Sequence, residues 1–352
     1  MKLKMSQEVL AVVTALAVAW IVFAVLVWLY GESPLLVAKL LLQGTWGTSY
    51  GAGQVLFKAT PLLCTGVAVE VGLRAGLFNI GGEGQLAIAS LVVALVGTRV
   101  AFLPGFLAVP ALLVVAALAG GAWAAVPAFL RARFGAHEVI GSIMMNRIAD
   151  AVIGALFGAG LAVAGSVRTP DIAPSAHLLR LDAVVAAFRG SAVSLAFLVS
   201  LVLAFVTEWA FRRTRVGREV VLVGQNAEAC AAVRIPVARR LAFTLIASGA
   251  CAGLASAGTV LGYKGYFELG LGAGSGFGGL AVALLGRSSA VGLLLAALFF
   301  GTLQQGGLAI NGHVPREVMD VLQGVVIVAI AVSDARLRRA LFASRAPRGG
   351  TA

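Results

Sequence analysis

Apolar runs of about 20 residues recur along this chain, and a run of that length is what an α-helix needs to cross the hydrocarbon core of a bilayer. The first extends from Leu10 to Tyr30. Others lie near 55–74, 78–98, 107–130, 138–165, 192–211, 241–262, 268–286, 289–309 and 317–333. Backbone N–H and C=O groups find no water in lipid, so each crossing is helical or is shielded by protein. The chain therefore reads as an all-α polytopic membrane protein with about ten transmembrane helices, some of them short or broken. Composition agrees, with 60% of the 352 residues hydrophobic and 12% charged, where a soluble domain averages about 45–50% and about 25%. A soluble enzyme, a disordered chain and a nucleic-acid-binding domain are excluded. The first run is too long for a signal-peptide core and no A-x-A site follows it, so it is read as a span.

The net charge of +12 reports orientation rather than an anionic partner, because cytoplasmic loops of membrane proteins carry the Lys and Arg. With the N-terminus inside and ten spans, 18 of the 27 basic residues fall on cytoplasmic segments and eight outside, with Arg147 within a span. Both termini are thus predicted to be cytoplasmic. A single transmembrane domain is expected over 1–340, followed by a basic cytoplasmic tail at 341–352. Two hydrophilic connections interrupt it: an external one at 166–190, and a strongly basic internal one at 212–240. In the latter, Asn226 is placed to cap a short helix of small residues that Pro236 closes.

Three stretches break the apolar monotony: GLFNIGGEGQ at 76–85, HEVIGSIMMN at 137–146, and Gly262 to Gly279, with eight glycines in 18 residues. Broken helices of this kind line substrate paths in transporters, although glycine also serves plain helix packing. Glu70, Glu83, Asp150, Glu208 and Asp320 fall in or beside spans, where ionised groups are costly and usually functional. Asp150 lies three residues after Arg147, and a local helical ion pair explains it. Glu208 is close enough to a span end to reach interfacial water or basic neighbours. Two enzyme motifs are missing. No lysine follows a glycine, so there is no P-loop, and His137-Glu138 leads to Gly141 rather than the second His of a zinc protease. Cys64, Cys230 and Cys251 are an odd, widely spaced set that forms neither a disulfide framework nor a zinc site.

These residues resemble the permease subunits of bacterial ABC importers for branched-chain amino acids, ribose and nucleosides. GLFNIGGEGQLAIAS at 76–90 looks like the signature of the nucleoside and simple-sugar branch. FGAHEVIGSIMMNRIA at 134–149 supports it, with His137 where that branch usually has Asn and Met145 in place of Leu. RRTRVGREVVLVGQNAEACAAVRIPV at 212–237 is similar to the family's cytoplasmic loop, where Thr214, Gly217, Gly224, Asn226, Ala229 and Ile235 match in place and Arg234 stands where Gly usually precedes the Ile. GFGGLAVALLGRSSAVGLLLAALFFGTLQQGG at 276–307 matches the late signature, with Ser288-Ser289-Ala290 where Pro is frequent.

The resemblance implies a permease that works by alternating access in the bacterial inner membrane and is not itself an enzyme. It implies two ABC ATPase subunits that carry ATP–Mg on their own chains, a second and homologous permease subunit, an external substrate-binding (lipo)protein and membrane lipid; no cofactor and no nucleic acid are expected on this chain. The helix around 226–235 becomes the coupling helix, with Ala229, Ala231 and Ala232 allowing close contact and Glu228 and Arg234 setting register. For a nucleoside, Asn79, Glu83, Gln85 and Asn146 are the candidate polar contacts and Phe78 and Phe277 the aromatic platforms. Glu83 has a structural alternative, accepting backbone N–H groups from its glycine-rich surroundings. The rival readings are a sugar or branched-chain amino-acid importer, a proton-coupled secondary transporter using Glu70, Glu83 or Asp320, and a channel or scaffold.

Overall fold

The computed structural model describes residues 2–286 and 288–329. Arg287, the end of the last predicted span and the predicted tail at 341–352 lie outside the described residues. Secondary structure is helical apart from two isolated β-bridges, Arg168 with Glu268 and Arg180 with Ser194, among the described residues. The chain divides into two compact units, one of residues 1–45 with 303–352 and one of residues 46–302.

In the first unit, α1 (Lys2–Leu29) and α2 (Pro34–Thr45) meet at an angle of 109°. Pro34 cannot continue a helix from its N-terminal side, and Gly31 supplies the left-handed residue (φ 79°) that turns the chain. Residues 317–329 form a further helix. His313 Nδ1 lies 3.0 Å from the Glu32 carboxylate.

The second unit is built around α3 (Ser49–Arg74), which is buried along most of its length. The unit also contains α4 (Gly82–Gly97), α5 (Gly105–Phe134), α6 (Glu138–Leu156, extended by a π turn to Leu161), α7 (Ala196–Arg213), α8 (Arg215–Gln225), α9 (Ala227–Ala232), α10 (Val237–Gly253, continued by a π segment to Lys264), α11 (Ser275–Gly286) and α12 (Ala290–Ile310), whose last turns belong to the first unit. Among the described residues, five helices are individually long and apolar enough to span a membrane: α3, α5, α6 with its π turn, α10 with its π segment, and α12. Two predicted spans are short. The run at 78–98 yields a helix of 16 residues and the run at 268–286 one of 12, and in the second glycine is the reason. Without side-chain restriction the backbone at Gly270, Gly272 and Gly274 takes positive φ, so α11 cannot begin before Ser275.

The connection from α6 to α7 is not a loose loop. Thr169 N–H donates to the Phe267 carbonyl at 2.8 Å and the Phe267 N–H returns to Thr169 Oγ1 at 3.0 Å. Leu178 N–H reaches the Leu261 carbonyl at 2.9 Å, and the Arg168 guanidinium lies 4.5 Å from the Tyr266 ring centroid. Ile172, Ala173, Ala176 and Leu178 are buried with the apolar faces of α4, α5 and the π segment.

Candidate functional site

The two short helices, α4 and α11, meet N-terminus to N-terminus beside the middle of α3. Thr65, about halfway along α3, donates to the Ser275 carbonyl at 2.8 Å. Glu83, in the first turn of α4, reaches across to α11: one carboxylate oxygen accepts the Gly274 N–H at 2.6 Å and the other the Gly276 N–H at 2.8 Å. A helix N-terminus leaves backbone donors unpaired and carries partial positive charge, so a carboxylate aimed at it satisfies both. Position 276 has to be glycine, because a Cβ there would sit 2.2 Å from the Glu83 nitrogen.

The segment before α4 is tied down by side chains. Asn79 and Gln85 form a reciprocal amide pair, at 3.0 and 3.1 Å. Asn79 Nδ2 also donates to Ser248 Oγ on α10 at 2.7 Å, and its Oδ1 accepts the Gly81 N–H at 2.9 Å. Ser248 Oγ in turn donates to the Ala68 carbonyl on α3. Asn146 reaches in from α6, accepting the Gly84 N–H and donating to the Ile80 carbonyl, each at 2.9 Å. The polar groups of a non-helical stretch inside a membrane protein need partners, and here three neighbouring helices supply them.

The second motif serves the first. Glu138, Ser142 and Asn146 recur every four residues on one buried face of α6, the spacing that stacks side chains on one side of a helix. Asn146 holds Gly84 and Ile80 as above, Ser142 packs against Gly81, and Glu138 lies 3.4 Å from both the Phe78 N–H and Arg131 Nε. Sequence reasoning singled out Asn146 and passed over Glu138, Ser142 and Ser248; the four-residue spacing was the available signal for the first two. Of the predicted aromatic platforms, Phe78 is partly buried beside this knot, and Phe277 is exposed on the first turn of α11.

Glu70, Glu208 and Asp150 each have a basic partner, whereas Asp320 is exposed beside Gln323. Glu70 pairs with Arg74 one turn later at 2.5 Å, and Arg74 donates to the Ser288 carbonyl. Glu208 pairs with Arg212 and accepts the Ala290 N–H at 2.8 Å, which caps α12. Arg147 and Asp150 form the expected local pair, 3.7 Å apart.

The residues singled out at 212–237 form a second cluster. Thr214 separates α7 from α8; its hydroxyl accepts the Gly217 N–H at 3.0 Å and donates to the Ala210 carbonyl at 2.7 Å. Gly217 and Gly224 are both sites of backbone contact: a Cβ at 217 would sit 2.3 Å from the Ala210 oxygen, and one at 224 would sit 2.4 Å from the Arg74 oxygen. The second contact sets the end of α8 on the turn that leads from α3 to Gly76 and the knot. Glu219 joins the two ends of the segment, bonding Arg215 at 2.8 Å and Arg240 at 2.7 Å. These guanidinium groups, Arg215 first, hold its carboxyl below the usual glutamate range.

Asn226 caps α9 by accepting the Ala229 N–H at 2.9 Å. The helix stops four residues before Pro236, which does not close it. Arg234 takes the left-handed conformation (φ 61°), and the Ile235 N–H returns to the Cys230 carbonyl and the Arg234 N–H to the Ala231 carbonyl. This is a Schellman ending, where glycine is the usual residue. Glu228, Ala229, Ala231, Ala232 and Arg234 are exposed, and Ile235 is partly covered. No cluster of three or more His, Cys, Asp or Glu residues that could hold a metal occurs among the described residues.

Residues 51–331 match the family described as the permease component of branched-chain amino acid transport systems. The chain is 36% identical over 298 residues to a guanosine ABC transporter permease protein of Bacillus subtilis, covering 84% of this chain and 85% of that one. It is 31% identical to a glucose ABC transporter permease protein of Haloferax volcanii, over 93% of this chain and 87% of that one. A nucleoside ABC transporter permease protein of Lactococcus lactis is 26% identical over 93% and 92%. No solved structure matches the chain.

Proposed function

The chain belongs to the permease-component family of branched-chain amino acid transport systems and is an integral membrane permease subunit of an ABC importer, and we propose that its cargo is a nucleoside or a related simple sugar. The observation that carries the cargo is the similarity to guanosine, nucleoside and glucose permeases over most of the chain, joined to a mid-span break built from neutral amides, glycine backbone and one capped carboxylate. The Glu83 carboxylate is already committed to α11 and is not free to pair with the ammonium of an amino acid.

In this reading α8 and α9 face the cytoplasm and α9 seats in a groove of a separate ATPase subunit. Ala229, Ala231 and Ala232 permit close approach, Glu228 and Arg234 set register, and Thr214, Gly217, Gly224, Asn226 and Ile235 hold the shape. ATP–Mg resides on the ATPase chains, a second permease subunit completes the pathway, and an external binding protein delivers the cargo. When ATP draws the ATPase dimer together, the displacement enters through α9, passes along α8, and reaches Gly76 through the Gly224 contact. The loop from Gly76 leads to Asn79 and Glu83, so the break between α4 and α11 is the part that changes which side it faces. Asn79, Gln85 and Asn146 act there as the frame, with Phe78 and Phe277 beside the path.

The test is purification of the tagged chain from its native membrane in mild detergent, with uptake of labelled guanosine, ribose and leucine by the same cells. Co-purification of a P-loop ATPase with a second polytopic subunit, and uptake of guanosine or ribose, is the expected result. A chain that emerges alone and transports without ATP overturns the importer role, and uptake of leucine alone overturns the cargo. Ala231→Trp is expected to abolish uptake while leaving the membrane domain folded, and unchanged uptake would remove α9 from the coupling role.

A further inference from the structure

The helix α6 divides its surface between two environments. Glu138, Ser142 and Asn146 turn inward to the knot, whereas Arg147 and Asp150 turn outward, their side chains 81% and 66% exposed. Both lie near the middle of the 24-residue span Glu138–Leu161, roughly 14 and 18 Å along its axis from Glu138 at the α-helical rise. An ionised pair at that depth cannot face hydrocarbon, because neither group recovers its lost hydration there. Burial of the same pair against an apolar partner helix carries the same desolvation penalty. Water is the environment that suits it.

Asp150 also borders a cavity of about 110 Å³, whose walls include Glu83, Leu86, Ile153, Phe267 and the backbone from Gly270 to Ala273. Glu83 directs both carboxylate oxygens to Gly274 and Gly276, so Asp150 is the carboxylate on this wall with acceptor capacity to spare. Further along the helix a Cβ added at Gly154 or Gly158 would meet nothing within 4 Å, which leaves the face open above the pair.

We infer that this face of α6 lines the water-filled substrate path, and that Asp150 accepts hydrogen bonds from adjacent hydroxyl groups of a neutral, polyhydroxylated substrate while Arg147 orients its carboxylate. This deepens the importer reading and rests on it. One carboxylate matches two neighbouring hydroxyls, the way acidic residues bind a ribose. Ribosyl and hexosyl groups carry that pair of donors.

The experiment uses the assembled importer in its native membrane. Asp150→Cys is exposed to a charged, membrane-impermeant thiol reagent, against a background of three native cysteines that are all buried. Labelling is expected, and slower labelling in the presence of guanosine or ribose supports contact with substrate. Absence of labelling at Asp150→Cys, in a complex that assembles normally, overturns the path assignment. In parallel, Asp150→Asn is expected to lower the maximal uptake rate at least tenfold with the ATPase still bound, and Asp150→Glu to restore part of it. Wild-type rates in Asp150→Asn overturn the hydroxyl contact while the importer reading stands. Failure of wild-type cells to take up guanosine or ribose is read without any variant and removes the cargo assignment, and the hydroxyl contact with it.

Discussion

Arg234 occupies a conformation that glycine adopts freely and an L-residue does not. The left-handed region costs a residue with a side chain roughly 1–2 kcal/mol, yet the Schellman hydrogen bonds at Ile235 and Arg234 are both made. Arg234→Gly is therefore expected to stabilise the end of α9 by about 1 kcal/mol, seen as slower hydrogen exchange at the amides of 234 and 235. If the guanidinium also registers the ATPase, uptake falls in that variant despite the gain in order. Asn79 is the opposite case, a polar group with every partner in place. Asn79→Leu strands the Gln85 amide and the Gly81 N–H, while Ser248 keeps its bond to the Ala68 carbonyl, and at about 1–3 kcal/mol for each unsatisfied buried group it is expected to lower stability by about 2 kcal/mol or more in a detergent melting assay. The double replacement Asn79→Leu with Gln85→Leu is expected to recover part of that loss, since both members of the amide pair become apolar. Glu219 titrates in the same frame. Its carboxyl is lowered in the folded state by Arg215 and Arg240, so its stabilisation is fully present above the unfolded value of about 4.3 and is lost as pH falls through the lower folded value. Proteolysis of the 214–240 segment is expected to accelerate across that acid range, and Glu219→Gln to remove that part of the pH dependence.

At the scale of elements, the break between α4 and α11 and the α8–α9 segment are linked by a close backbone contact. Gly224 lies against Arg74 and Gly76 so closely that a methyl group would collide with three backbone atoms, at 2.4, 2.8 and 2.9 Å. None of these can rotate away as a side chain would. Gly224→Ala is expected to lift α8 from the α3 turn and reduce uptake at least tenfold while ATP hydrolysis by the assembled complex continues. Equal loss of hydrolysis and uptake would point to failed docking instead. The same scale explains why two predicted spans came out short. Hydropathy over 78–98 and 268–286 is high enough for a crossing, but each helix begins part-way along its run, and the N-terminal donors are satisfied by Asn79 and Asn146 at α4 and by Glu83 at α11. The polar residues of the motifs were visible in the sequence. Their pairing was not, because Glu83 and Gly276 are joined only by the fold.

For the whole molecule, the positive-inside distribution predicts that α8 and α9 face the cytoplasm and the α6–α7 connection the outside. Single-cysteine variants at Gln225 and Arg189 check this: an impermeant reagent is expected to label Arg189→Cys in intact spheroplasts and Gln225→Cys only in inverted vesicles. What the sequence by itself determined is the membrane class, the helical architecture, the glycine-rich breaks at 76–85 and 262–279 and the family; the third stretch, 137–146, is instead the unbroken start of α6. Each of these depends on local composition or on the order of motifs along the chain, and a bilayer reads local hydropathy directly. The tertiary structure alone decided which polar groups are spent on the protein and which remain for a solute. Asn79, Gln85, Asn146 and Glu83 carry the same chemistry as substrate ligands and would be indistinguishable from them in sequence; they are engaged because α3, α6, α10 and α11 converge on them. Arg147 and Asp150 look like an ordinary helical ion pair in sequence, and only the packing of α6 turns them outward at mid-span, where charge is stable in water and not in lipid.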